Sequence, residues 1–191
     1  VSASQISLLP EMPEGAVMNT CVDIIKRFAR CEGANVKAFI ALSLADIGAS
    51  SVSEDILKRL ATLPNSEQAY AILTSGTKEG VLRINVVANT TTGLSYGCRT
   101  LDQLLKAGDD ITEDTPIEVP IVSILDWPDI PERGQWSNYA VENMEWLSRW
   151  KLNIIENSAD PKIDNLDSPA YDMHYTGKPM LGLVKKQREY I

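Results

Sequence analysis

The sequence is poor in the residues that build most metal and redox sites. It has one histidine, His174, and three cysteines, Cys21, Cys31 and Cys98, with no Cys-x-x-Cys pair. This scarcity argues against a zinc site, and an odd, low cysteine count does not make a disulfide framework. We predict no metal site and interpret the three thiols as small buried hydrophobic side chains. The glycines of residues 90–97, "TTTGLSYG", lack the spacing of a phosphate-binding loop, and no cofactor is predicted.

Long apolar runs and an excess of positive charge are also lacking. No run approaches the roughly 20 apolar residues that cross a bilayer, so no membrane span is predicted. The chain has 18 Lys and Arg against 26 Asp and Glu, a net charge of −8. Nucleic-acid partners are not expected, because neutralising phosphates requires clustered Lys and Arg. The chain begins with Val1, which allows for a removed secretory signal. The sequence does not determine the compartment, and a secreted or periplasmic location is the interpretation we favour.

Strand-like and helix-like runs alternate up to about residue 126. Apolar residues at steps of three and four predict helices, and continuous or alternating apolar runs between turn residues predict strands. Such a pattern is typical of a compact α/β layer. In order, the predicted elements are a strand ending at Pro10, a helix from Val17 towards Gly33, a buried strand over 36–44, a helix capped by Ser53 and stopped by Pro64, a β-hairpin of 67–74 and 80–88, a helix ending near Gly108, and an edge or irregular strand over 117–127 containing Pro120.

The order of predicted strands and helices changes around the segment "ILDWPDIPERGQW", residues 124–136. A short strand "RGQW", a helix over 138–150 and a buried strand "KLNIIE" are predicted there, and this order is typical of the start of a βα repeat. The closing run "LVKKQREYI" stops in mid-pattern without a cap and indicates that the chain is a piece of a longer protein. An incomplete βα set exposes apolar edges and helix faces, so we expect self-association.

Three motifs occur in sequence order and together carry a resemblance. The first is "G-x-x-Y-G-x-x-T-L-x-Q-L", the second is "D-x-P-x-x-x-x-R-G", and the third is "K-L-N". With these motifs the chain resembles the beginning of a β-N-acetylhexosaminidase of glycoside hydrolase family 20. The matching positions are Gly93, Tyr96, Gly97, Thr100, Leu101, Gln103 and Leu104, then Asp126, Pro128, Arg133 and Gly134, and finally Lys151, Leu152 and Asn153.

The resemblance implies the fold class and the domain organisation. The class is α/β: an accessory α+β domain with a mixed sheet and helices over residues 1–126, followed by the first βα units of a TIM-type barrel over residues 127–191. It also implies that the parent protein hydrolyses terminal N-acetylhexosamine or a related sugar from glycans. In that family a Glu is the general acid and an Asp positions the acetamido group of the substrate, which is the nucleophile. Both come from the fourth barrel strand, so no catalytic residue is predicted here and this piece is expected to be inactive alone.

Two residues are predicted to bind the sugar. By motif position, Arg133 would bind hydroxyls of the terminal sugar, and a guanidinium offers several donors in a rigid fork for that purpose. We expect it at the end of the first barrel strand, where such folds keep ligands. The alternative is a structural ion pair with Asp126, Asp129 or Glu132. Trp136 is the candidate wall of the site, because an indole face can stack on a sugar ring.

The remaining candidates have plainer interpretations. Trp146 and Trp150, one helical turn apart, are read as core or interdomain packing residues. The acidic loop "ENSADPKIDNLD" lacks the spacing and the glycine of an EF-hand and is interpreted as solvated.

The chain also departs from the family after two of the motifs. "QWSNYA" follows Arg-Gly in place of an apolar stretch with an Asp and a second Arg. "IIENSADP" follows Lys-Leu-Asn in place of histidines and an Asp. The sugar therefore stays open, and an alternative is a non-catalytic carbohydrate-binding or interaction module that kept the fold and lost the enzyme.

Overall fold

A computed structural model describes residues 1–10, 16–31, 35–76, 80–105, 110–136 and 144–156. The chain divides into two compact units, residues 1–131 and 132–191, and each is described by itself. Among the described residues, no helix is both long enough and apolar enough to cross a membrane.

The first unit is built on a five-stranded mixed sheet of order β1-β2-β4-β3-β5. Strands β1, β2 and β4 are parallel, and β3 is antiparallel to both β4 and β5. This arrangement confirms the predicted fold class of a mixed sheet with helices. The elements are β1 (Ile6–Pro10), α1 (Ala16–Lys26), β2 (Ala38–Leu44), α2 (Glu54–Thr62), β3 (Tyr70–Gly76), β4 (Leu82–Ala88), α3 (Thr91–Leu104) and β5 (Ser123–Asp126).

The two faces of the sheet have separate hydrophobic cores. Helices α1 and α3 cover one face, and their apolar stripes pack on alternate strand residues such as Ile40, Ile84 and Val86, which are fully buried. On the other face a smaller cluster includes Val52, Ala71 and Val87, with Ile56 and Leu57 of α2 packed against it. Burial on both faces explains why β2 and β4 are almost continuously apolar.

The predicted hairpin is confirmed, since β3 and β4 pair as adjacent antiparallel strands. The predicted strand over 117–127 is shorter than expected, because only Ser123–Asp126 is a strand. Pro120 has no N–H to donate, but its carbonyl accepts a hydrogen bond of 2.9 Å from the Thr74 hydroxyl. As expected for a proline-containing segment, β5 lies at the edge of the sheet.

The helix starts follow from capping side chains. The Ser53 hydroxyl accepts from the N–H of Ile56 at the start of α2, and the Thr90 hydroxyl accepts from the N–H of Gly93 at the start of α3. Helix α1 ends at Lys26 and α3 ends at Leu104, both before the predicted glycines, and Gly33 and Gly108 themselves lie outside the described residues.

The second unit, where it is described, is one parallel β-α-β unit. It comprises β6 (Gly134–Trp136), α4 (Met144–Arg149) and β7 (Ile154–Glu156). Strands β6 and β7 pair in parallel with Gly134 opposite Ile154 and Trp136 opposite Glu156. The strand, helix and strand predicted for this part of the chain are confirmed.

Candidate functional site

The glycines of the first motif let α3 lie directly on the sheet. A Cβ at Gly93 would be 2.3 Å from the carbonyl oxygen of Ala69, and a Cβ at Gly97 would be 2.6 Å from Cγ1 of Val86. Any side chain at either position would push α3 away from β3 and β4. The two glycines therefore have a packing role, and neither is a ligand-binding element of the described fold.

Two further motif residues meet at Tyr70, a 2% exposed residue of β3. The Tyr70 hydroxyl is 2.6 Å from the hydroxyl of Thr100 on α3 and donates a hydrogen bond to the carboxylate of Asp126 on β5. Burial raises the pKa of the Tyr70 phenol well above its usual value, and the hydrogen bond to Asp126 raises it further. Tyr70 thus joins the first motif to the second through a structural network.

Residues 127–131 of the segment "ILDWPDIPERGQW" are anchored to the loop before β3 by two amides. Asn65 Nδ2 donates to the carbonyl of Pro128 at 2.8 Å, and Gln68 Nε2 donates to that of Pro131 at 2.9 Å. Gln68 is 7% exposed, so its amide would be costly to leave without partners. These hydrogen bonds hold residues 128 and 131 as part of the first unit.

Arg133, which precedes β6, is bound on its main chain by the third motif. Its N–H donates to Asn153 Oδ1 at 2.8 Å, and its carbonyl accepts from the N–H groups of Asn153 and Ile154 at 2.8 and 3.0 Å. Its guanidinium Nη2 donates to the carbonyl of Lys151 at 2.9 Å. The Arg-Gly and Lys-Leu-Asn motifs are therefore brought together, with Asn153 and Lys151 setting the position of Arg133.

Lys151 can present its carbonyl because α4 ends in a Schellman motif. Lys151 has a φ of +58° in the left-handed region. Its N–H bonds to the carbonyl of Ser148 at 3.0 Å, and the N–H of Leu152 bonds to that of the buried Leu147 at 3.1 Å. These two bonds are the 5→2 and 6→1 pairs of that motif. The turn holds "K-L-N" in the conformation that receives Arg133.

Gly134 allows the close approach of the two strands. A Cβ there would be 2.4 Å from the carbonyl oxygen of Ile154 and 2.8 Å from its Cβ. In the Arg-Gly pair, the arginine is therefore bound by the third motif. The glycine is required because a side chain at position 134 would collide with Ile154 of β7.

The predicted placement of Arg133 differs from the observed one. Arg133 lies at the amino-terminal start of β6, whereas Trp136 is the last described residue of that strand. In parallel βα folds the ligand edge is the carboxyl edge, here marked by the register pair Trp136 and Glu156. Arg133 stands before Gly134, the first residue of β6, and its backbone is hydrogen-bonded to the third motif, so it lies at the amino end of the strand. The side chain of Trp136 lies outside the described residues.

Other predicted candidates do not gather around a site. Trp146 and Trp150 contact each other with ring centroids 6.0 Å apart, but they are 55% and 61% exposed, so burial in a core is not found. Asp129 and Glu132 are exposed. In the part of the chain that the structure describes, no three His, Cys, Asp or Glu side chains form a group that could hold a metal ion. His174 and most of the acidic loop lie outside that part.

Tyr70 and the anchoring amides Asn65 and Gln68 were missed by sequence reasoning. A tyrosine in a buried strand is typical of a core aromatic residue, and nothing local marks its hydroxyl as a partner of Asp126, 56 residues away. Asn65 has a φ of 51°, a conformation that asparagine adopts more readily than most residues, so the asparagine after Pro64 is the one signal that the sequence offers.

Comparisons with known proteins agree with the motifs. The sequence model of glycosyl hydrolase family 20, domain 2, matches residues 32–127, which is half of the chain. No match was found among curated proteins.

Solved structures share the fold. Flavobacterium johnsoniae chitobiase is 16% identical with a TM-score of 0.53, covering 100% of this chain and 30% of that one. The family 20 β-N-acetylhexosaminidase of Streptomyces coelicolor A3(2) is 16% identical with a TM-score of 0.51, covering 82% and 31%. CpGH84B is 14% identical with a TM-score of 0.57, covering 98% and 32%. The chain spans about a third or less of the solved structures it matches, and likeness at such identities shows the fold alone.

Proposed function

The chain belongs to glycosyl hydrolase family 20 through that family's domain 2, and on this basis we propose that it is part of an enzyme that removes terminal N-acetylhexosamine or a related sugar from glycans. The observation that carries the proposal is the match over residues 32–127 together with the third motif, whose residues hold Arg133 at the start of a parallel β-α-β unit. The hexosaminidase and chitobiase activities of two structural neighbours support the same class of substrate.

In this proposal the two parts of the chain have different tasks. Residues 1–126 form the accessory domain, whose glycines and Tyr70 network make a rigid scaffold. Residues 127–191 open the catalytic barrel, with the sugar on the side where the parallel strands end. Trp136 lies at that end of β6, and Arg133 lies at the opposite end, about 10 Å away at the rise of a strand. Both are proposed sugar contacts, and their separation requires that each be tested individually.

The chain by itself is proposed to be inactive. The resemblance assigns catalysis to an adjacent Asp-Glu pair, and the 191 residues contain no Asp followed directly by Glu. The test is an assay of the purified chain on a nitrophenyl N-acetylglucosaminide. We expect no turnover above the rate in buffer, and turnover that scales with protein concentration would contradict the proposal.

Sugar binding is tested by calorimetric titration with N-acetylglucosamine. Trp136→Ala and Arg133→Ala are compared with the matched controls Trp146→Ala and Arg149→Ala, which remove the same side-chain types from α4. A binding role predicts that the Trp136 or Arg133 variant loses affinity while its control does not. Loss of folding stability without loss of affinity would assign the residue a structural role only.

A second candidate function is a non-catalytic carbohydrate-binding or interaction module. The departures "QWSNYA" and "IIENSADP" after two motifs favour it, because they replace the acidic, basic and histidine residues usual in the family. The longest natural form of the protein is titrated with N-acetylglucosamine and assayed for turnover. Calorimetric binding without turnover would support this candidate. Turnover by that form would exclude it.

A further inference from the structure

Helices α1 and α3 lie side by side on one face of the first unit's sheet and bring two cysteines together. Cys21 of α1 and Cys98 of α3 are both fully buried, and both carry free thiols. Their thiols are hydrogen-bonded to each other. The proposed glycosidase function does not use Cys21 or Cys98. The third cysteine, Cys31, is half-buried.

An ion pair joins Arg27, the residue that follows the end of α1, to Asp102 of α3. Arg27 donates from Nε and Nη2 to Asp102 Oδ1 at 2.9 and 2.5 Å, and its guanidinium lies 4.5 Å from the ring centroid of Phe28. Arg27 follows Cys21, and Asp102 follows Cys98, so the helices run in the same direction. The contact between the thiols and the nearby ion pair show that the two cysteines lie side by side on packed helices, as cross-linking requires.

The two thiols are chemically unequal. The hydrogen bond from Cys98 lowers the pKa of Cys21 more than burial raises it, and the charge of Arg99 lowers it further. The pKa of Cys98 is raised by the same hydrogen bond and by burial. The pKa values of the two thiols in the folded state therefore shift in opposite directions.

We propose that Cys21 and Cys98 form an intramolecular disulfide that cross-links α1 to α3 when the chain folds in the presence of a small-molecule disulfide oxidant. The thiolate of one of the two cysteines attacks one sulfur of the oxidant and releases one thiolate from it. The other cysteine then loses its proton, attacks the protein sulfur of the mixed disulfide and releases the second thiolate. Two protein thiols lose two electrons and two protons, and the oxidant becomes two thiols.

The cross-link encloses every element between α1 and α3. Strands β2, β3 and β4 and helix α2 lie within the closed loop. Such a bond restricts the unfolded chain, so the oxidised form is expected to melt at a higher temperature than the reduced form.

The test refolds the reduced chain from urea in a buffer of reduced and oxidised glutathione, because the native thiols are buried from the oxidant. Free thiols are blocked with an alkylating reagent, and the protein is digested without reduction for mass spectrometry. We expect the free thiols to fall from three per chain to one, a cross-linked peptide containing Cys21 and Cys98, and a higher melting temperature.

Single variants separate the pair from the third cysteine. Cys31→Ala should form the cross-link as the wild type does, and Cys21→Ala and Cys98→Ala should not. The wild-type peptide map stands even if a variant fails to fold. Three alkylated thiols after refolding, or cross-links that contain Cys31 as often as either partner, would overturn the proposal.

Discussion

The hydroxyl of Tyr70 in β3 donates a hydrogen bond to the carboxylate of Asp126, the last residue of β5. The same hydroxyl contacts Thr100 on α3, so one phenol ties an edge strand, an interior strand and a helix together. Asp126 and Thr100 each belong to a motif that resembles an enzyme family, yet in the described fold they stabilise the scaffold.

Replacing Tyr70 with Phe should destabilise the first unit by about 1–3 kcal/mol, because the half-buried carboxylate of Asp126 loses the hydrogen bond that the phenol donates. The free energy of unfolding is measured by urea denaturation. Thr100→Val is the matched comparison, since it removes only the second contact of the phenol, and it should cost less. Equal losses in both variants would contradict the assignment of Asp126 as the main partner.

The Tyr70 phenol also predicts how stability depends on alkaline pH. Its pKa in the folded protein lies above the unfolded value, which is about 10. The neutral phenol therefore favours the folded state, and this contribution is complete below about pH 10. It is lost as the pH rises above that value, with a slope of about 1.4 kcal/mol per pH unit. Unfolding measured from pH 9 to 11 should show a shallower decline in Tyr70→Phe, and parallel declines would contradict the shift.

Introducing a methyl group at Gly93 should separate α3 from the sheet. The new Cβ would be 2.3 Å from a backbone oxygen, and backbone cannot move aside as a flexible side chain can. We expect Gly93→Ala to cost about 1–3 kcal/mol or more in urea unfolding. Gly76→Ala is the control, because nothing lies within 4 Å of its Cβ position, and it should be neutral or slightly stabilising. An equal cost at both sites would contradict the close approach as the cause, because nothing lies near the new methyl group at Gly76.

Local patterns predicted the elements well because their causes are local. Ser53 caps α2 as its position before two acids indicated, and β3 and β4 pair across the connection that suggested a hairpin. The parallel pairing of β2 with β4 was not predictable from periodicity, since it depends on which strands meet in space. The position of Arg133 was likewise not predictable from local pattern. The motifs identified the residue, but its place before β6 depends on hydrogen bonds to Lys151 and Asn153, 18 and 20 residues later.

The side-chain oxygen of Asn153 should protect the backbone N–H of Arg133 from hydrogen exchange. Asn153→Leu removes the oxygen that accepts from the Arg133 N–H, so this amide should exchange hydrogen about 3–10-fold faster, as expected for one lost hydrogen bond. Asn153→Asp is the control because it keeps an acceptor at the same position. Exchange is measured by NMR or by mass spectrometry of peptides covering 132–136. Unchanged exchange in the leucine variant would mean that the N–H is protected by other contacts.

Self-association should depend on the exposed tryptophans of α4 and its C-terminal turn. Trp146 and Trp150 present 55% and 61% of their surfaces to solvent, and burying two indoles between copies is favourable. We expect light scattering at high protein concentration to show a mass above one chain for the wild type and a lower mass for the double variant Trp146→Ser, Trp150→Ser. Ile121→Ser is the control, because it removes an even more exposed apolar side chain, at 72%, from the first unit. A wild type that stays monomeric, or an equal response of both variants, would contradict association through the indoles.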